Sequence, residues 1–276
     1  MSISGGLRLA FDRLAAVGGE ALQIFTANQR QWQPKLPDGQ EVELFRKMRM
    51  AASDIPVASH DSYLINLASP KPETTKKSIA ALTGELRRCG ALGIEYVVMH
   101  PGAHLGTGIE AGLTRFTANL DRAFAEAAVG REVMVLLETT AGQGTSLGAD
   151  FSELAKIIAG SAFSPQLGIC FDTCHVFAAG YDLRTPAAYR KTMAEFERVI
   201  GLDRLKFFHL NDSKKELGSR VDRHDHIGQG QIGLEGFRLL VNDPCFTEHP
   251  MVLETPKSED MHEDKDNLQL LRNLLA

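Results

Sequence analysis

The 276-residue sequence predicts an α/β protein, a parallel (β/α)8 barrel whose first strand is missing or reduced to the opening residues. Three observations carry this expectation. Short apolar runs rich in Val, Ile and Phe recur every 34 to 45 residues or so, roughly the length of one strand–helix unit with its loops. Between them, apolar residues repeat at three- and four-residue steps, the period of a helix. No linker, low-complexity stretch or change of composition interrupts the rhythm, so residues 1–276 are read as a single barrel domain.

The elements follow in order. A helix at about Gly6–Val17 precedes the first run, ALQIFT (21–26). The other runs are IPVASH (55–60), YVVMH (96–100), VMVLLE (133–138), LGICFD (167–172), LKFFHL (205–210) and PMVLE (250–254). Each suits a strand buried on both faces of a parallel sheet. One helix begins near Pro72, repeats apolar residues at Ile79, Leu82 and Leu86, and is expected to stop at Gly90. Another carries Ile109, Leu113, Phe116, Leu120 and Phe124, with Gly130 after it. A third has Thr185 as N-cap and Pro186 at its first position, and ends before Gly201. The count is eight helices against seven strands.

Composition narrows the function classes. Thirty Lys and Arg against 35 Asp and Glu give a net charge of −5, which excludes a uniformly basic nucleic-acid-coating protein but not a local basic face. No apolar stretch approaches the ~20 residues that span a bilayer, and MSISGGLRLAFDR lacks a signal-peptide core. Cys89, Cys170, Cys174 and Cys245 are too few and scattered for a disulfide framework. A soluble cytoplasmic protein without membrane attachment is expected.

The chemistry sits at the ends of the runs. Six of the seven close on a side chain that can bind a metal: His60, His100, Glu138, Asp172, His209 and Glu254. In a parallel barrel these ends converge on one face. So many carboxylates and imidazoles brought together need cations, because buried like charges otherwise repel or protonate. His175 follows Asp172 in FDTCH, where a turn can present it to the same face. Asp222 and His224, two residues apart in VDRHDH, point the same way if the backbone is extended. Asp225 and His226 are read as a solvated or supporting pair, and Cys170 as a packed strand cysteine. Nine candidates exceed the ligands of one zinc and suit two or three divalent ions; zinc fits the donors, as do Mn and Fe. Closely spaced metals serve hydrolysis at phosphorus or at an amide, with Glu138 placed to bridge two of them. A metal-dependent sugar isomerase in the same barrel stays open at this point.

The motifs resemble the endonuclease IV family of apurinic/apyrimidinic endonucleases from about residue 4 to residue 257. They are NQRQW (28–32), HDSYLIN (60–66), MHPGAH (99–104), LETTAGQG (137–144), FDTCHVFAAGYDLR (171–184), HLNDSK (209–214), GSRVDRHDHIG (218–228) and LET (253–255). The resemblance implies a TIM barrel and three zinc ions, with Mn2+ as a substitute. One ion would take His60, His100 and Glu138. The second would share Glu138 and add Asp172, His209 and Glu254. The third would take His175, Asp222 and His224. His104 is not a family ligand.

The implied activity is hydrolysis of the phosphodiester 5′ to an abasic site in duplex DNA, leaving a 3′-hydroxyl and a 5′-deoxyribose phosphate, with trimming of blocked 3′ ends. A zinc-activated hydroxide beside Glu138 would attack phosphorus in line. By the same resemblance Arg30 with Gln31, and Tyr63 with Leu64, would insert into the base stack, and Lys214, Arg220 and Arg223 would meet phosphates. The glycines of AGQG (141–144) are read as a sharp turn beside Glu138 rather than a phosphate cradle. The enzyme is expected to act as a monomer, in the cytoplasm at the nucleoid.

The sequence departs from the family at its start. Family members carry a strand before the segment matching SISGG (2–6), and here Met1 stands directly before it. The expectation is that the natural start lies upstream, or that the chain was cut. None of the nine ligands lies on that strand. Two rivals remain, a sugar isomerase or epimerase of a related barrel and a barrel that binds damaged DNA without cutting it. The first has no use for the VDRH pair or for NQRQW.

Overall fold

Arg13 ties down the opening residues. Its guanidinium donates to the carbonyls of Ser2 and Ser4, both at 2.7 Å, and the Met1 ammonium donates to the carbonyl of Gln23. No strand precedes the first helix, α1 (Leu9–Val17), which begins three residues later than expected and ends at Gly18 in a left-handed conformation. The computed structural model describes residues 1–276, which divide into two compact units: Met1–Leu137 with Lys156–Gly168, and Glu138–Ala155 with Ile169–Ala276.

In the first unit β1 (Leu22–Ile24), α2 (Gly39–Ala51), β2 (Val57–His60), α3 (Pro72–Leu92), β3 (Tyr96–Met99) and α4 (Ile109–Ala127) lead to β4 (Met134–Glu138), which belongs here as far as Leu137. The strands pair in parallel and in chain order, with Leu22 beside Val57, Ser59 beside Val97 and Val98 beside Leu136. Almost every strand side chain is buried, which is why these runs show no alternation. One helix end differs from expectation. α3 runs through Gly90 to Leu92, and Gly93 ends it at φ 75°. α4 stops at Ala127, where Ala128 takes the left-handed position, and Gly130 follows as expected. Glycine marks a stop only where the backbone needs positive φ, and Gly90 is ordinary helix packed against Val129.

The second unit holds the first half of α5 (Phe151–Gly160), β5 (Leu167–Asp172) from Ile169 onward, α6 (Thr173–Ala179), α7 (Pro186–Val199), β6 (Leu205–His209), a hairpin of β7 (Asp212–Ser213) and β8 (His224–Asp225), α8 (Gly233–Val241), β9 (Met251–Val252) and α9 (His262–Asn273). β5, β6 and β9 are parallel neighbours, and the register sets Asp172 beside His209 and His209 beside Val252. Thr185 caps α7 as expected, accepting from the Ala188 N–H at 3.2 Å. The core of this unit is aromatic: Phe151 stacks on Tyr181 at 3.9 Å and meets Phe196 edge-on, and Phe171 packs on Phe208. Burying each such ring stabilises the fold by about 1.5–3 kcal/mol.

There are nine α-helices, not eight, because the turn expected after Asp172 is the short helix α6. Four of the six run ends, His60, Glu138, Asp172 and His209, are the last residues of their strands. His100 and Glu254 lie one and two residues past theirs. No helix is long and apolar enough to cross a membrane.

Candidate metal centre

Asp172 closes β5 and also caps α6, its Oδ1 accepting from the His175 N–H at 2.8 Å. A carboxylate at an N-cap is held in place by the free N–H groups of the first turn. The cap carries the His175 ring into the buried interior of the unit. There Nδ1 lies 2.9 Å from the Thr139 carbonyl and 3.2 Å from Glu138 Oε1, and Nε2 lies 3.2 Å from Asp222 Oδ2. The β7–β8 hairpin supplies Asp222 and His224. His224 Nδ1 sits 3.1 Å from the Glu254 carbonyl, and its Nε2 lies 3.2 Å from Asp222 Oδ1 and 3.5 Å from His175 Nε2. On β6, His209 Nδ1 is 3.1 Å from Glu138 Oε1 and 3.2 Å from Glu254 Oε2.

Seven of the nine expected ligands therefore meet in the second unit, as two adjoining groups: Glu138, Asp172, His209 and Glu254, and His175, Asp222 and His224. Within each group the ligand atoms lie within 4.8 Å of one another. The other two belong to the first unit, where the His60 and His100 rings stand edge to face with centroids 5.5 Å apart. His60 Nδ1 is 2.9 Å from the Asp61 carbonyl. His60, His175 and His224 thus share one arrangement. Each sets Nδ1 against a backbone carbonyl, which fixes the ring and leaves Nε2 to bind, as metal-ligating imidazoles do.

Charge decides what the second unit's cluster can hold. Glu138, Asp172 and His209 are fully buried. Burial alone disfavours a charged imidazole, yet the Asp172, Asp222 and Glu138 carboxylates push the His175 pKa well above its ordinary value. His209 is raised in the same way: burial opposes protonation, and Glu254, Glu138 and Asp172 outweigh it. Against its burial, His224 is pushed up to about 9, chiefly by the charge of Asp172 and the hydrogen bond to Asp222. Burial would raise Asp222, but His175 and His224 hold it far below the usual carboxylate range. This donor set demands positive charge. Divalent cations bound by imidazole and carboxylate supply it in place of protons, so the residues fit a metal cluster. Burial pushes the Cys174 thiol up to about 12 and the Cys170 thiol well above its normal value, and Cys174 Sγ lies within 4.8 Å of the ligand atoms of Asp172 and His224.

The residues expected at DNA lie on the surface of their units. Arg30, Gln31 and Arg223 are exposed, Leu64 is half-buried, and Tyr63 is 63 % exposed with its ring against both His60 and His100. Trp32 lies under Lys77 Nζ, 5.8 Å from the ring centroid, so it packs toward α3. His104 stays in its loop, its Nδ1 accepting from the Gly108 N–H. His226 turns to Asn267 rather than to the cluster. Gly142 and Gly144 both take positive φ, as the turn beside Glu138 requires.

Four supporting residues were not anticipated. Asn211 donates from Nδ2 to Asp172 Oδ2 at 2.6 Å and accepts the Glu254 N–H at 2.8 Å, so one amide sets two ligands. Thr139 Oγ1 accepts from the Asp172 N–H, and Thr173 Oγ1 donates to the Asn211 carbonyl. Asp212, fully buried, accepts from the N–H groups of Ser213, Gly228, Ile232 and Gly233. Asn211 and Asp212 stand in HLNDSK beside His209, a position that hints at support, but an isolated amide or carboxylate in sequence does not reveal its partners.

The profile of a family described as xylose isomerase-like TIM barrel matches residues 11–274. A relative from Chloroflexus aurantiacus, named probable endonuclease 4, is 56% identical over 275 residues, covering 100% of this chain and 96% of its own length. The chain belongs to the endonuclease IV family. The crystal structure of endonuclease IV from Thermus thermophilus is 38% identical with a TM-score of 0.88, covering 99% of this chain and 96% of that one. The fold of this endonuclease IV family member is accordingly a TIM barrel, with no strand ahead of α1. A D-tagatose 3-epimerase-like structure, 18% identical with a TM-score of 0.70 over 98% of this chain and 95% of that one, shares the fold alone.

Proposed function

We propose that this protein is a zinc-dependent DNA-repair endonuclease. It hydrolyses the phosphodiester 5′ to an abasic site in duplex DNA, leaves a 3′-hydroxyl and a 5′-deoxyribose phosphate, and trims blocked 3′ ends. The carrying observation is the pair of adjoining His/carboxylate groups that meet at Glu138 in the second unit. In this reading three zinc ions bind per chain, with Mn2+ as substitute. His60 and His100 would hold one ion, Glu138, Asp172, His209 and Glu254 another, and His175, Asp222 and His224 the third. Zinc in such a site supplies a nucleophile from water at neutral pH and positive charge for the phosphoryl and leaving oxygens.

The chain's own residues do the rest. Thr139, Asp61 and the Glu254 carbonyl hold three imidazole rings in one orientation. Arg30, Gln31, Tyr63 and Leu64 enter the stack where a base is missing and unstacking costs least, and Lys214, Arg220 and Arg223 meet the phosphates. The chain acts as a monomer, on DNA of the cytoplasmic nucleoid. The fold does not discriminate against a sugar epimerase, since the two share it; the His175–Asp222–His224 group does, because an isomerase working through one or two cations has no use for it.

The test is a duplex bearing one tetrahydrofuran abasic analogue, labelled at its 5′ end. That analogue cannot undergo β-elimination, so a cut must be hydrolytic. A product ending in a 3′-hydroxyl just before the lesion is expected. An uncut duplex in the presence of zinc would sink the reading.

A further inference from the structure

Helix α3 buries an ion pair that the metal cluster does not use. Glu85 and Arg88 lie one turn apart, 5% and 4% exposed, and the Arg88 guanidinium donates to the Glu85 carboxylate. Taking two charges out of water is costly, and apolar side chains of similar volume are often as stable in such a place. The pair therefore matters for what it holds. Glu85 Oε1 accepts from Thr26 Oγ1 at 2.7 Å and from Ser59 Oγ at 2.5 Å, and Arg88 Nε donates to the same Thr26 oxygen at 2.8 Å.

Both hydroxyls sit at the roots of functional loops. Thr26, two residues past β1, opens the segment carrying Arg30 and Gln31. Ser59 precedes His60 at the end of β2 and the segment carrying Tyr63 and Leu64. The two segments are also joined directly, Ser62 Oγ donating to the Gln29 carbonyl at 2.7 Å. A shallow cleft is lined by Thr26, Gln31, Trp32, His60, Glu85 and Arg88. Directional hydrogen bonds at the root of the first segment help to locate it as it leaves β1.

We infer that the Glu85–Arg88 pair is the positioning device of the lesion-probing loops. Through Thr26 and Ser59 it sets the two side-chain pairs, Arg30 with Gln31 and Tyr63 with Leu64, at the separation a missing base requires. The inference rests on the function proposed above and adds to it where lesion discrimination is set. Glu85 and Arg88 themselves stay buried and touch no DNA.

The experiment uses the zinc-loaded protein with Thr26→Val, Ser59→Ala and the conservative Thr26→Ser. Kd is measured for the tetrahydrofuran duplex and for an undamaged duplex of the same sequence. Metal content and turnover of bis(p-nitrophenyl) phosphate, a small diester that needs no opened stack, are measured beside it. Ser59→Ala, which loses one hydrogen bond to a charged group, is expected to lower the preference for the lesion about tenfold, and Thr26→Val, which loses two, at least as much. Metal content and small-diester turnover stay at the parent level, and Thr26→Ser keeps the preference. An unchanged preference, or an equal loss on the small diester, would reduce the pair to ordinary structural support and overturn the inference. If the parent itself shows no preference for the lesion, the proposed function falls and takes the inference with it; a discriminating parent with unchanged variants removes the inference alone. Ser59→Ala, which deletes a single hydroxyl, decides the matter should Thr26→Val fail to fold.

Discussion

Asp172 works in two directions at once. One carboxylate oxygen caps α6 through the His175 N–H, and the other accepts from Asn211 and lies 3.7 Å from His209 Nδ1. Glu138 is shared in a different way, its Oε1 lying within 3.2 Å of imidazoles from both groups. Glu138→Ala is therefore expected to keep its far-ultraviolet circular dichroism while losing incision of the tetrahydrofuran duplex by at least about a hundredfold, the scale on which one preorganised charge-stabilising group is worth its place. Substantial activity in that variant would contradict the assignment. The raised imidazoles make a second prediction. His224 has a folded value of about 9 against an ordinary 6.5, so the stability it adds to the metal-free protein is fully present below about 6.5 and is lost as pH rises through about 9. With a chelator present, the Tm should fall across that window. With zinc bound in place of the proton the fall should disappear, and zinc binding should release protons into buffer at pH 7. A Tm independent of pH in the chelated protein would count against the charge balance described for the cluster.

At the scale of elements, the least conspicuous one carries the most. The β7–β8 hairpin has two residues per strand, Asp212 and Ser213 pairing with Asp225 and His224, yet it presents Asp222 and His224. Asp212 holds it to the segment leading into α8 by accepting the N–H groups of Gly228, Ile232 and Gly233, and a Cβ at Gly230 would collide with the Ser213 carbonyl and the Asp212 carboxylate. Asp212→Asn should cost about 2 kcal/mol, since it turns an acceptor into a donor facing buried N–H groups. It should also lose one zinc of the expected three, read by elemental analysis; retention of all three would show that the hairpin stands without it. The long elements were legible in the sequence, because runs such as VMVLLE have the composition of strands buried on both faces and end on a candidate ligand. Thr185 was legible as a cap because it stands before proline at the start of a periodic stretch. The hairpin was not, because a two-residue ladder leaves no periodicity to read. The end of α3 was misplaced because backbone conformation, not the first glycine, decided it. All nine candidate ligands were legible by position at run ends and in the FDTCH and VDRH motifs, whereas Asn211 and Asp212 acquire meaning only from partners that folding supplies.

At the scale of the whole molecule, the chain's acidic balance and its buried cluster answer to the same requirement. A net charge of −5 includes carboxylates fully buried at strand ends, and those make sense where cations neutralise them. Seven candidate ligands gather in one unit and His60 with His100 stand in the other, each unit supplying its part from parallel strands in register. Metal loading should accordingly stabilise the fold as well as equip it, because ions that bind only the native state raise its stability by mass action. The direct test of the account is anomalous diffraction at the zinc absorption edge from crystals of the zinc-loaded chain. Three peaks are predicted: one among Glu138, Asp172, His209 and Glu254, one among His175, Asp222 and His224, and one at His60 and His100. A map without density at His175, Asp222 and His224 would contradict the trinuclear reading.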